Sequence, residues 1–181
     1  MKLYTRFFLL FLIATTILLA GGIKENAEKE IKTFVGDSVI LELHKLVIDP
    51  AAKKKIEIRA KQRFFKDYLY VWKISKNDSL SGYAVLDNVY GKAMPITFLV
   101  IMDLDGKITA ARVIKYREAY GGSIANINWL KQFIGRDDQS NYQIGKDVDA
   151  ISGATISVNA LTRGVKKITC LFAYIQKELN K

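Results

Sequence analysis

A hydroxyl, two small residues and an acid stand together in the stretch Asp149-Ala150-Ile151-Ser152-Gly153-Ala154-Thr155. With ordinary amino-acid usage, an Asp, two free positions, Ser or Thr, Gly, Ala, then Thr or Ser arises by chance in roughly one chain in a thousand of this length. Gly153 permits backbone conformations that a β-carbon forbids, and Ala154 adds almost no bulk, so the Thr155 hydroxyl is left accessible. From Ile156 onward Leu161, Val165, Ile168, Leu171, Phe172 and Ile175 recur every three or four positions, which predicts a helix starting near Thr155. A helix start exposes unpaired N–H groups and a partial positive charge, the setting in which a phosphate is best accommodated. The chemistry on offer is therefore a phosphate group accommodated at a helix start beside an accessible threonine hydroxyl. The plainer alternative is that Ser152 or Thr155 only caps the helix.

The elements that must position this stretch are legible upstream. Lys2 and Arg6 precede an uncharged apolar run, Phe7 to Ala20, followed by Gly21 and Gly22. That order matches an export signal, and the seventeen residues from Phe7 to Ile23 are also just long enough to stay as a tilted membrane anchor. Lys24 to Lys32 reads as a charged helical connector, and Ser38 to Ile48 suits either a strand or a helix. Asp49 and Pro50 look like an N-cap and first helical position opening a basic helix to about Phe65. Tyr68 to Ile74 alternates as a strand, and a turn at Lys76 to Ser79 leads to a second strand near Gly82 to Val89. Ile96 to Met102 is apolar enough for a central strand. Asp105-Gly106 is a hairpin signal, and Lys107 to Tyr116 returns as its partner. Arg117 to Ser123 is a loop with paired glycines, Ile127 to Phe133 a short helix, and Gly135 to Asp147 a polar surface loop. The fold class is α+β: an antiparallel β-sheet flanked by helices, with an N-terminal signal or anchor helix.

Composition narrows the function. The chain of 181 residues carries a net charge of +10, densest at Lys53, Lys54, Lys55, Arg59, Lys61 and Arg63. No nucleic-acid-binding motif accompanies that patch, which reads as a solvated face favouring acidic partners or anionic lipid headgroups. The single cysteine, Cys170, excludes an internal disulfide and a thiolate cluster and reads as a small buried hydrophobe. The single histidine, His44, builds no multi-histidine metal site, and the absence of CxxCH excludes covalent c-type haem.

GKAMPITFLVIMDLDGKI, then YREAYGG, WLKQFIG and finally DAISGAT, from about Gly82 to Lys167, resemble in order the extracytoplasmic FMN-binding domain. That domain is found in the flavin-carrying small subunits of sodium-pumping NADH:quinone reductases and Rnf-type complexes. The resemblance implies FMN bound covalently through a phosphoester to Thr155, installed by a separate flavin transferase that uses FAD and a divalent cation. Asp149, Ser152, Gly153 and Ala154 match the rest of the recognition motif. Where the complex subunits carry a His and a Thr-Pro-Gly run, this chain has Tyr116 to Gly122. The likeness is therefore closer to stand-alone exported members, and it assigns neither complex. On this reading residues 1–22 are a signal peptide or membrane anchor, 23–66 a helical or extended N-terminal segment, and 67–181 the FMN-binding domain.

A flavin brings the redox chemistry, and the protein supplies position, polarity and access. Arg117 and Lys115 are candidates for raising its potential, with an ion pair between Arg117 and its neighbour Glu118 as the competing use. Gly121 and Gly122 are candidates for close backbone approach or, equally, an ordinary turn. Trp129 is a candidate wall of the flavin site or a core residue packed on the sheet. The leading expectation is an exported electron carrier at the extracytoplasmic face of the cytoplasmic membrane, relaying electrons between redox-protein or membrane partners. The alternatives are an exported flavin-dependent reductase of a small acceptor, for which the sequence names no convincing acid or base, and a non-redox binding or sensor module.

Overall fold

The computed structural model describes residues 22–181, so the expected signal or anchor segment lies, Gly22 excepted, outside the described residues. Five strands follow one another as an antiparallel meander: β1 (Ile40–Val47), β2 (Tyr68–Lys76), β3 (Ser79–Tyr90), β4 (Pro95–Met102) and β5 (Ile108–Lys115). Four α-helices accompany them: α1 (Ile23–Val35), α2 (Pro50–Ala60), α3 (Ile127–Leu130) and α4 (Thr155–Leu179). The α+β class and the central antiparallel sheet agree with the sequence reading.

Alternation along the strands sends side chains to two faces. Leu69, Val71, Val85, Phe98 and Val100 join Leu161, Val165, Ile168 and Phe172 of α4 in the larger core. Trp72, Ile74, Ala84, Leu86, Leu99 and Ile101 join Ala27 and Ile31 of α1 in the smaller one. Because helices cover both faces, β4 is buried almost from end to end, as a central strand covered on both sides must be. The segment Ser38 to Ile48, open between strand and helix from its sequence, is strand β1, and it pairs with β2 along its whole length. The sheet therefore includes residues on both sides of position 67. Trp72 Nε1 donates to Glu28 Oε1 at 2.9 Å, docking α1.

The turns follow their local chemistry. Asn77 and Asp78 both take positive φ, the geometry of tight hairpins. In the β4–β5 turn, Asp103 Oδ1 accepts from the amides of Asp105 and Lys107. Asp49 Oδ2 accepts from Ala52 N at 2.9 Å, capping α2 with Pro50 in its first turn. The expected run of that helix to Phe65 is corrected: it ends at Ala60, with Lys61 left-handed. Two polar contacts account for the early stop. Glu57 Oε1 takes the Phe64 amide at 2.7 Å, and Lys167 Nζ donates to Arg63 O at 3.0 Å, pulling residues 61–64 onto α4.

That lysine was not singled out from the sequence. Lys167 is 0% exposed and its Nζ lies 2.7 Å from Oδ2 of the buried Asp87 on β3. The contact is an ion pair rather than an aligned hydrogen bond, since Asp87 Oδ2 has no hydrogen-bonding partner. Burial pushes the Asp87 carboxyl upward, against the opposing pull of Lys167. The pair locks α4 to the sheet.

Candidate functional site

Three chain segments converge beside the N-terminus of α4. The β3–β4 turn supplies Lys92, Ala93 and Met94. The loop after β5 supplies Arg117, Glu118, Ala119 and Tyr120, and the helix start supplies Gly153, Ala154, Thr155, Ile156 and Ser157. Together they line an open cleft of about 740 Å³, within the range of small-molecule and cofactor sites. Its rim is apolar: Met94, Tyr120 and Ile156 are all exposed large hydrophobic side chains, Tyr120 at 85%.

The helix start has the form that phosphate binding favours. Gly153 takes φ +76°, with no atom within 4 Å of the place a β-carbon would occupy. Ala154 is the N-cap, it is buried, and no side chain caps the helix. The capping role open to Ser152 and Thr155 is thus taken by neither. Thr155 is the first helical residue and is exposed. An uncapped N-terminus of a 25-residue helix leaves donors and positive potential free for an anion.

The loop after β5 is clamped by polar contacts. Glu118 Oε1 accepts from the amides of Ala93 and Met94 at 2.7 and 3.0 Å, and these amides hold its carboxyl below the usual range. Tyr116 Oη lies 3.2 Å from Glu118 Oε2, 3.0 Å from Ser157 Oγ, and within hydrogen-bonding distance of Tyr120 O. Burial raises the Tyr116 phenol, so it stays protonated at neutral pH. Arg117 does not pair with Glu118. Its Nη1 donates to Pro95 O at 2.8 Å and to Thr97 Oγ1 at 3.0 Å, and Thr97 Oγ1 donates to Asn88 Oδ1 at 2.7 Å. The cation is therefore held against the end of the sheet, half-buried, with its charge not neutralised by its neighbour.

The cleft brings together Arg117, Glu118, Gly153, Ala154 and Thr155 from the sequence candidates. Asp149, Ser152, Gly121, Gly122 and Trp129 are not among its lining residues. Trp129 stands behind it: its indole Nε1 donates to Asp149 O at 2.9 Å, and its ring meets Phe133 edge-on. Gln132 Oε1 accepts from Asp149 N at 2.7 Å, so the motif's first residue is pinned through its backbone on both sides while its side chain is exposed. Gly121 takes φ +85°, and a β-carbon there would lie 2.6 Å from Tyr116 Oη. A β-carbon on Gly122 would meet only ordinary contacts. Sequence reasoning missed Met94, Tyr116, Tyr120 and Ser157. Ser157 carried a usable signal, since three residues after Ala154 it falls on the inward face of the helix.

Fold and site together define an α+β domain that presents an uncapped helix start and an exposed threonine to an apolar cleft. Residues 91–169 match the family model described as the FMN-binding domain. All three walls of the cleft fall inside it. The crystal structure of Shewanella oneidensis NqrC shares the fold, with a TM-score of 0.57 at 20% sequence identity over 92% of this chain and 94% of that one. No curated protein matches in sequence.

The residues present fit such a cofactor at both ends. An exposed hydroxyl and uncapped amides suit its phosphate, while the apolar rim formed by Met94, Tyr120 and Ile156 suits a flat ring.

Proposed function

We propose that this chain is an exported flavoprotein electron carrier, with FMN attached through a phosphoester to Thr155, relaying electrons between redox partners at the membrane. The observation that carries the reading is the exposed Thr155 at an uncapped helix start on the rim of the apolar cleft. A dedicated transferase must reach the hydroxyl, and the open space at Gly153 leaves it unobstructed. In that reaction the Thr155 Oγ–phosphorus bond forms as the diphosphate of FAD breaks, AMP departs and the hydroxyl proton is lost. Asp149, held in place by Trp129 and Gln132, and Ser152 are exposed beside Thr155 and offer the transferase its recognition surface.

Bound FMN supplies one- and two-electron redox chemistry. The chain's own residues bind, orient and polarise. Amides of the first turn of α4 hold the phosphate, Met94, Tyr120 and Ile156 shield the ring from water, and Arg117 favours negative charge in the cleft. The hydrogen bonds from Arg117 to Pro95 and Thr97 fix where that positive charge sits. The open cleft suits a carrier, whose cofactor must come close to successive partners. A covalent tether keeps the cofactor in an exported protein, beyond the reach of the cytoplasmic flavin pool.

Intact-mass analysis of the chain produced with and without an FAD-dependent flavin transferase tests the proposal. A mass increase of one FMN moiety is expected with the transferase alone, with colour retained after denaturation. A wild-type chain of unchanged mass under those conditions refutes it.

A further inference from the structure

We propose that the end of the sheet bearing the cleft is a lipid-docking surface that rests on anionic headgroups and so turns Thr155 toward the membrane. This rests on the reading of the N-terminal segment as an export signal or anchor. Its first support is the position of Gly22. Gly22, which follows the uncharged run Phe7 to Ala20, lines a 350 Å³ cavity with Phe65, Lys66, Tyr68, Tyr70 and Thr97. Thr97 is also the residue that accepts from Arg117, and Arg117 lines the cleft. Gly22 and the cleft are therefore neighbours, linked through Thr97 and its hydrogen bond from Arg117. Strand register agrees: Val47 opposite Tyr68, Tyr90 opposite Pro95, and Thr97 opposite Lys115 all fall at this end.

The second support is the chemistry of that end. Lys24 lies 5.0 Å from the centre of the Tyr70 ring, Lys45 lies 4.3 Å from that of Tyr68, and Lys66 Nζ bonds the Tyr68 hydroxyl at 3.1 Å. The lysines hold the Tyr68 phenol below its usual range. Lysines on tyrosine rings, next to exposed Val47, Tyr90 and Met94, are the mixture that suits a headgroup layer, with amphipathic rings and long cations meeting anionic lipid. The nearby acids each have a partner: Glu25 the Gly22 amide, Glu118 the amides of Ala93 and Met94, and the exposed Asp67 the ammonium of Lys53. The far end of the sheet differs, with Asp78, Asp103 and Asp105 in its turns beside Lys76 and Lys107. A bilayer accounts both for this patch and for an uncharged run that ends in sequence just before Gly22, whereas a protein partner accounts for the patch alone.

The test uses the full chain in a Cys170→Ser background, with a fluorophore at Lys92→Cys in the β3–β4 turn or, separately, at Asp105→Cys at the far end. It is bound to vesicles of phosphatidylglycerol and phosphatidylcholine that carry a headgroup-level quencher. Strong quenching is expected at position 92 and little at 105. Quenching at 92 should fall with added salt and be lost in pure phosphatidylcholine. Each lysine near an anionic surface strengthens binding about fivefold. Neutralising Lys24→Gln, Lys45→Gln and Lys66→Gln together should therefore weaken the quenched state on the order of a hundredfold, with circular dichroism confirming the fold. Equal quenching at both positions, or quenching at 92 indifferent to lipid charge and salt, overturns the proposal. Absence of quenching at 92 in these protein-free vesicles also overturns it and points to a protein covering the face. Flavin attachment is read separately by mass, so either idea can fail alone.

Discussion

Tyr116 and Ser157 stand 41 residues apart in sequence and 3.0 Å apart at their hydroxyls. Through that contact the loop after β5 is fastened to the first turn of α4, and the cleft has a fixed shape before any ligand arrives. Ser157 is 3% exposed and Tyr116 half-buried, so the bond is shielded and its loss is felt. Gly121 is the residue that makes room for it.

Substitution Gly121→Ala should cost about 1–3 kcal/mol, the range for forcing a β-carbon into a left-handed and crowded position. Gly122→Ala, which meets only van der Waals contacts, should stay within roughly 0.5 kcal/mol of wild type. Urea unfolding of the two variants side by side measures the difference. Equal stabilities would show that the tyrosine–serine contact does not constrain the loop.

Thr155→Ala should abolish the mass increase produced by the transferase. Its stability should lie within about 0.5 kcal/mol of wild type, because Thr155 is exposed and caps nothing. Thr155→Ser, which keeps a hydroxyl, should retain attachment. A flavinylated Thr155→Ala protein would place the linkage elsewhere.

Glu118 makes the cleft acid-sensitive. Its carboxyl is held below the usual value first by the Ala93 amide, then by that of Met94. A group depressed in the folded state stabilises at pH values above its unfolded pKa, and that stabilisation is lost as pH falls through the folded pKa. Stability of the wild type should therefore fall from neutral pH through the carboxylate range and below it. Glu118→Gln should begin less stable and show a smaller fall. Denaturant titrations of both proteins between neutral and acid pH supply the comparison, and parallel pH profiles would remove Glu118 as the source.

Lys167→Met should destabilise strongly, by about 3–5 kcal/mol, because it leaves the Asp87 charge buried and unpaired. Replacing both members, Asp87→Leu with Lys167→Met, should recover much of that loss, since apolar pairs of similar volume substitute well for buried ion pairs. A double-mutant cycle in thermal unfolding gives the coupling. Additive losses would mean that the two charges do not depend on one another.

Local chemistry is what made the fold legible in the chain. Alternation in Tyr68 to Ile74, the Asp105-Gly106 turn, the Asp49-Pro50 helix start and the period of Leu161 to Ile175 each express a preference satisfied within a few residues. They survive in β2, the β4–β5 hairpin, α2 and α4 because tertiary packing reinforces them. Ser38 to Ile48 was ambiguous for the same reason: its apolar spacing suits two periods, and only pairing with β2 decides for a strand.

The end of α2 depends on partners distant in sequence. Nothing between Lys61 and Phe65 breaks a helix by itself. The stop is imposed by Glu57 folding back on the Phe64 amide and by Lys167, which is 104 residues from Arg63. The candidate site divides likewise. DAISGAT identified the exposed hydroxyl and the helix start, since small residues, backbone freedom and helical period are local properties. Arg117 could be paired on paper with Glu118, its neighbour, yet in space Arg117 bonds the start of β4 and Glu118 the amides of the turn before it. Trp129 could be assigned a wall of the cleft, yet it holds Asp149 from behind. Sequence alone thus determined the elements and the exposed threonine at the helix start. Tertiary structure decided which side chains share the cleft and where the helix halts, because those depend on contacts that close only when distant strands and loops meet.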